Sequence, residues 1–489
     1  MRTLGRLAVF TILVVLLSHS FTLAQGAEQA EEQRALGFIK AVQAGDADAL
    51  LAYMQENWAP AQDPEERAQR WQQFVPMIIE RNANVTVTGV LAEAEHSLTI
   101  LAEQPDGPPL RFEFTFEPEP PHRILGFGVE AGGDDMRGPK LPPVEFPSGA
   151  SNEDIARTIN PWLDQLTRDS LFSGTVLIAW QGKPIYTAAR GLASIEWNVP
   201  NTPDTRFDLG SINKSFTQIA IGQLVDQGKL SFDDKLIDML PDYPNPEAAR
   251  KITLRHLLEH SAGLGDIFGD TFFNSSKAQY RQPRDFFPLF ANRPLEFEPG
   301  SKRSYSNAAY MVLGAIIARV SGQDYDQYVI EHVFKPAGMT HSGFWAADEP
   351  IPNIAEGYTR MEPEGDHGPL RSNRFDLPIK GNSAGSAQST VSDLLKFDNA
   401  LRDHKLLPPA YTMWYFRGPE PKPGETGDSD AKREFAETGI AGGAPGVSAT
   451  LESDGRLAVI VLANFDAPIT ESIARSLFQP LKKVLTDRS

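Results

Sequence analysis

Ser211-Ile212-Asn213-Lys214 sits where an extended stretch, Phe207-Asp208-Leu209-Gly210, gives way to an apolar run at helical spacing: Ile212, Phe216, Ile219, Ala220 and Leu224. The chain must turn there from strand to helix. A serine on the first helical turn has its hydroxyl beside free backbone N–H groups and the positive end of the helix dipole. A lysine three residues on projects from the same face. That places an amine where it can activate a weak nucleophile. A serine N-cap followed by a surface lysine has the same spacing, so the rest of the chain must decide between the two.

Three further segments bear on the choice. Tyr305-Ser306-Asn307 follows Phe297-Glu298-Pro299-Gly300-Ser301 and opens an apolar helix from Ala308 to Val320, stopped by Ser321-Gly322. A tyrosine at such a junction can point its phenol into a cleft; otherwise it is a rim residue with Asn307 as N-cap. Gly442-Gly443-Ala444-Pro445-Gly446 leads into a hairpin, Val447–Leu451 and Leu457–Asn464, around Ser453-Asp454-Gly455-Arg456. The last segment is Arg255-His256-Leu257-Leu258-Glu259-His260-Ser261-Ala262-Gly263-Leu264.

In this order and spacing the segments resemble the serine β-lactamase and penicillin-binding-protein superfamily, in its class C β-lactamase-related branch of D-alanyl-D-alanine peptidases and esterases. Phe207-x-x-Gly210-Ser211-x-x-Lys214-x-Phe216 is similar to that family's nucleophile motif. Tyr305-x-Asn307, Arg255–Leu264 and Pro336-Ala337-Gly338-Met339-x-x-Ser342 match three more of its hallmarks. The resemblance runs from about Ile155 to the C-terminus. It implies an α/β domain with an antiparallel sheet flanked by helices, plus an all-α subdomain. It makes Ser211 the acylated nucleophile, with Lys214 and Tyr305 sharing its proton and either one as the base. Asn307 would hold Lys214 and part of the substrate. The Ser211 and Gly443 N–H groups would form the oxyanion hole.

The third motif departs from the pattern. The family carries Lys or His, any residue, then Gly. Anchoring on the glycines puts Ile440 at the basic position, followed by Ala441 and Gly442; the other register is Glu437-Thr438-Gly439. Neither supplies a cation, and Lys432, Arg433 and Arg374 are the candidates elsewhere. With Ile440 and Gly442 lining the substrate side, neutral esters or amides are expected rather than β-lactams or peptidoglycan peptides. Two other classes compete. One is a penicillin-binding-like pseudoenzyme that holds a peptide or glycan without turnover. The other is a zinc protease using His256-x-x-Glu259-His260, two histidines one helical turn apart.

The chain's 489 residues exceed one ordinary domain. A formal charge of −18 opposes nucleic acid or an anionic membrane as partner but does not identify a substrate; the resemblance implies a small-molecule or peptide substrate. Arg2 and Arg6, the apolar run Leu7–Leu17 and Thr22-Leu23-Ala24 read as a signal peptide over 1–24, giving a periplasmic or secreted protein without a stable membrane span. There is no cysteine, so the core alone must stabilise the fold. No cofactor or metal is expected, and the oligomeric state is left open. Residues 27–132 form an accessory α+β domain resembling the cystatin/NTF2-like fold. It has helical patterning over Glu31–Met54, a second helix from Asp63-Pro64, and strands at Val85–Leu91, Leu98–Ala102, Leu110–Phe116 and Arg123–Val129. The Gly/Pro-rich stretch 133–150 reads as a linker before the hydrolase domain, 151–489. In that domain a hairpin, Gly174–Ala179 and Ile185–Ala189, should turn at Gln181-Gly182, and the last helix should lie near Thr470–Leu485.

Overall fold

The computed structural model describes residues 30–486, except for 104–109, 132–138, 362–366, 426–437, part of 61–81 and of 417–423, Glu95 and Lys140. The leader 1–24, Asp63-Pro64, Glu437, Lys432 and Arg433 lie outside the described residues. The chain divides into two compact units, residues 1–137 and 138–489.

In the first unit the helical pattern over Glu31–Met54 is two helices, α1 (residues 30–43) and α2 (Ala47–Asn57). The break has a local cause. Gly45 takes φ +70°, and the Asp46 carboxylate accepts from the Asp48 and Ala49 N–H groups as an N-cap. Periodicity alone ran through this cap. Four strands follow: β1 (Thr86–Ala94), β2 (Ser97–Glu103), β3 (Leu110–Phe116) and β4 (Ile124–Ala131), an antiparallel meander in that order. Phe112, Phe114 and Phe116 alternate inward and pack with Phe38, Leu50 and Met54.

The second unit begins earlier than the linker reading placed it. Val144 and Ala150 are buried, and Pro142 accepts a 3.0 Å hydrogen bond from the Trp162 indole. Leu141, Val144 and Phe146 supply the apolar contact that holds this stretch on the domain core. Helix α3 (Asn152–Arg168) starts at a capping box between Ser151 and Asp154. The hairpin strands are β5 (Gly174–Trp180) and β6 (Lys183–Arg190). Gln181 and Gly182 between them both have positive φ, as a two-residue turn of matching twist requires. With β9 (Thr438–Ala444), β10 (Val447–Ser453) and β11 (Leu457–Ala463) they form one antiparallel sheet in the order β9-β10-β11-β5-β6.

Strand β11 is apolar throughout because both of its faces are covered. Leu457, Val459 and Val461 meet α3 and the last helix, α8 (Ile469–Thr486). Ala458, Ile460 and Leu462 face the larger core around α4 (Asn213–Asp226). Residues 213–337 contain helices and loops but no strand, and α4 and α6 (Asn307–Ser321) form their centre. Short helix α5 (Leu254–Leu258) precedes α6, and α7 (Val391–Arg402) follows it. At the end of α7, Arg402 is fully buried. It pairs with Asp398 at 2.8 Å and bonds Thr438 and Ser453 at the start of the edge hairpin. Removing one member of a buried pair strands the other charge. Asp398→Ala should therefore cost about 3–5 kcal/mol in denaturant unfolding; a loss below about 1 kcal/mol, the scale of a surface pair, would show that the pair is not needed.

Candidate active site

Backbone contacts build the site first. Two short strands, β7 (Phe207–Asp208) and β8 (Gln388–Ser389), pair and deliver the chain to Gly210. Gly210 has φ +49° and opens a single 3₁₀ turn, Gly210–Ile212, which runs directly into α4. The edge strand β9 lies against this turn. A Cβ on Gly442 would stand 2.0 Å from the Leu209 carbonyl oxygen and 2.6 Å from the Ser211 nitrogen. A Cβ on Gly210 would stand 2.8 Å from the Gly443 nitrogen. Only glycine permits this approach. It also decides the register: Ile440-Ala441-Gly442 is the triplet beside the serine. Thr438, in the other register, is taken up with Arg402 and the Ser453 carbonyl. Gly442 is buried against the serine's own backbone, where it sets the spacing between strand and turn.

The side chains converge on one oxygen. Ser211 Oγ lies 2.7 Å from the Tyr305 hydroxyl, which donates to it, and 3.1 Å from Lys214 Nζ. Lys214 is buried, and Nζ also donates to Asn307 Oδ1 at 2.8 Å and to the Ala384 carbonyl at 2.6 Å. Asn307 can do this because it is not the N-cap. Ser306 takes that task through a 3.0 Å bond from the Ala309 N–H, leaving the Asn307 carboxamide free to turn inward.

Two further residues complete the centre. Asp266 accepts from the Asn307 amide at 2.9 Å and so directs its oxygen toward the lysine. His260 stacks on the Tyr305 ring at 4.7 Å and on Tyr310 at 5.0 Å, while its Nδ1 accepts from the Ser306 N–H at 3.1 Å. His260 has a sequence signal in the Arg255–Leu264 motif; Asp266, two residues beyond it, has none.

Burial sets the protonation states. It lowers the Lys214 ammonium to about 7, against a smaller upward pull from Asp266. Partial desolvation raises the Tyr305 phenol even though half of the residue is exposed, and its bond to Ser211 opposes the rise. His260 is lowered to about 4 by burial, then by the charges of Lys214 and Arg303, so it is neutral at pH 7. Of the three, Lys214 is the group whose free amine becomes available near neutrality.

The zinc geometry does not form. Helix α5 ends at Leu258, and His260 has φ +58°, so the two imidazoles do not share a helical face. His256 Nδ1 accepts from the Thr253 N–H as part of the helix cap. The acid-and-histidine grouping found among the described residues lies elsewhere, at Glu31, His96 and His122.

A cavity of about 1320 Å³ adjoins the centre, lined by His260, Tyr310, Ile440 and Arg303 among others. Ile440 is half-buried there and offers apolar contact only. Arg374 is paired with Glu356 at 2.8 Å and borders a different cavity. Arg303 shares the Ile440 cavity with Arg255 and Lys302, and it is the one of these three that acts on Tyr305; the sequence reading overlooked it.

Residues 162–479 match the family described as beta-lactamase. The chain belongs to the beta-lactamase family. Penicillin-binding protein 4* of Bacillus subtilis is 32% identical over 47% of this chain and 52% of its own length. Esterase EstB of Burkholderia gladioli is 32% identical over 55% of this chain and 74% of its own. The chain thus spans about half the length of the first. The crystal structure of a penicillin binding protein from Bacillus halodurans, 32% identical, superposes with a TM-score of 0.55 over 64% of this chain and 97% of that one. The antiparallel sheet flanked by helices is the fold of this beta-lactamase and penicillin-binding-protein group.

Proposed function

We propose that this chain is an exported serine hydrolase that forms an acyl-enzyme on Ser211 and acts on small neutral esters or amides. The observation that carries this reading is the placement of Ser211 Oγ between the Tyr305 hydroxyl and the buried Lys214 amine. Neutral Lys214 takes the serine proton as Oγ attacks the carbonyl. The developing oxyanion is received by the N–H groups of Ser211 and Gly443, whose nitrogens the glycine contacts bring together. Tyr305, still protonated, passes its proton to the leaving group, and the Lys214 ammonium returns one to it. Water then attacks the acyl-enzyme by the reverse proton path. EstB supports the ester class. Arg2, Arg6 and the apolar leader support export. Among the described residues no helix is long and apolar enough to cross a membrane.

Specificity rests on Ile440. An apolar side chain gives a buried carboxylate no compensation, and Arg303 is exposed, so its attraction is screened. Nitrophenyl acetate or butyrate should exceed a penicillin in kcat/KM. Ile440→Lys should narrow the gap by roughly 1–3 kcal/mol, the range of a charge-assisted hydrogen bond. Comparable wild-type turnover of the penicillin would overturn the neutral-substrate reading. Loss of that turnover in Arg303→Ala would then place the carboxylate on Arg303. Covalent labelling with no turnover of ester, amide or penicillin would favour the pseudoenzyme.

A further inference from the structure

The accessory unit carries a polar cluster that the serine chemistry does not use. Glu31 lies in the first turn of α1, His96 in the tight turn between β1 and β2, and His122 in the turn between β3 and β4. They are 65 and 26 residues apart in sequence, so no motif spacing announces them. The fold brings all three to one end of the meander. Glu31 Oε1 is 2.7 Å from His96 Nδ1 and 3.8 Å from His122 Nδ1. One ligand atom from each of the three residues lies within 4.8 Å of the others. The carboxylate is buried, with 6% of its side chain exposed, while His96 keeps 24% of its side chain in contact with solvent.

Both histidines hold left-handed backbone, φ +59° and +55°, a conformation few non-glycine residues adopt. Among the described residues of this unit, these two turn histidines are the non-glycine positions with positive φ. The rings stack at 5.7 Å and 15°, and His122 Nδ1 is also 3.0 Å from the Glu117 carbonyl oxygen; a carbonyl only accepts, so that nitrogen carries a proton, which a bound ion would displace.

We propose that Glu31, His96 and His122 form a binding site for a divalent transition-metal ion of the zinc class. In a tetrahedral zinc site with bonds of ~2.0–2.1 Å, neighbouring ligand atoms are ~3.3 Å apart. Without an ion, His96 Nδ1 and Glu31 Oε1 are in direct hydrogen-bond contact at 2.7 Å and His122 Nδ1 stands at 3.8 Å, so an ion would replace that hydrogen bond and spread the pair by about half an ångström. Two imidazole nitrogens and one carboxylate suit zinc and its neighbours rather than calcium or magnesium, which take oxygen ligands. The exposed side of His96 leaves room for water as the fourth ligand. A bound ion would tie α1 to both turns of the sheet. The site is independent of the Ser211 centre, so its failure and the failure of the hydrolase reading are separable.

The test uses the full chain, stripped with chelator and titrated with zinc against a chromophoric competitor, with cobalt(II) as spectroscopic probe. The expected result is about one zinc per chain with submicromolar affinity, and a tetrahedral cobalt spectrum. Glu31→Gln and the double variant His96→Gln/His122→Gln should each weaken binding at least tenfold, while ester hydrolysis is unchanged by zinc or chelator. Circular dichroism of each variant checks that it is folded. Wild-type stoichiometry is a readout that needs no variant. Failure of the wild-type chain to bind zinc above a micromolar competitor would overturn the proposal. So would equal binding by the folded double variant.

Discussion

Ser211→Ala should abolish both covalent labelling and turnover while leaving the fold intact. A fluorophosphonate should add its mass to the wild-type chain and nothing to the variant. Removing the nucleophile of a hydroxyl-based hydrolase costs on the order of 10⁵–10⁶ in kcat, leaving what binding and the oxyanion hole supply alone. The loss should be large because, among the described residues, Ser211 Oγ is the hydroxyl that both Tyr305 and Lys214 contact. The neighbouring Ser215 borders the adjoining cavity one turn further along α4. Labelling at Ser215, or at any serine other than Ser211, would overturn the assignment.

Lys214→Ala and Tyr305→Phe should each lose on the order of 10²–10⁴ in kcat, the range for removing a general acid or base. The double variant should be little worse than the poorer single one, because both groups act on one proton path. Losses that simply multiply would show independent roles. The pH profile separates the two residues. Burial holds Lys214 at about 7 and partial desolvation raises Tyr305, and only the free amine can accept the serine proton. Wild-type kcat/KM should therefore fall as the pH drops through about 7. Tyr305→Phe should keep that acidic limb and Lys214→Ala should lose it. A limb that survives in Lys214→Ala belongs to another group.

Much of this centre was legible in the chain because it is carried by local spacing. Serine and lysine three apart, tyrosine and asparagine two apart, and a glycine pair before a hairpin each survive as linear patterns. Strand β3 was equally plain, since one buried face imposes alternation. What escaped the reading depends on contacts between distant segments. Asp266 matters because the fold brings it beneath Asn307, and Ala384 because a loop 170 residues from Lys214 offers its carbonyl there. The His256–His260 pair shows the converse. Spacing put both on one face, but the helix ends at Leu258 and His260 turns toward Ser306. Ile440 was placed by anchoring on the glycines, and Gly442 against the serine backbone decides between that register and the other.

The burial of Lys214 also means that this side chain releases a proton as the chain folds. In the unfolded chain its amine holds a proton up to about 10.5; in the native chain it does so only up to about 7. Between those limits the unfolded ensemble carries the extra proton. Conformational stability from this residue therefore climbs with pH across that window, by roughly 1.4 kcal/mol per unit, and is flat below it. The native state is least favoured by this side chain in acid, where its amine is also silent as a base. Alkalinity thus sharpens the chemistry and firms the scaffold through one and the same deprotonation.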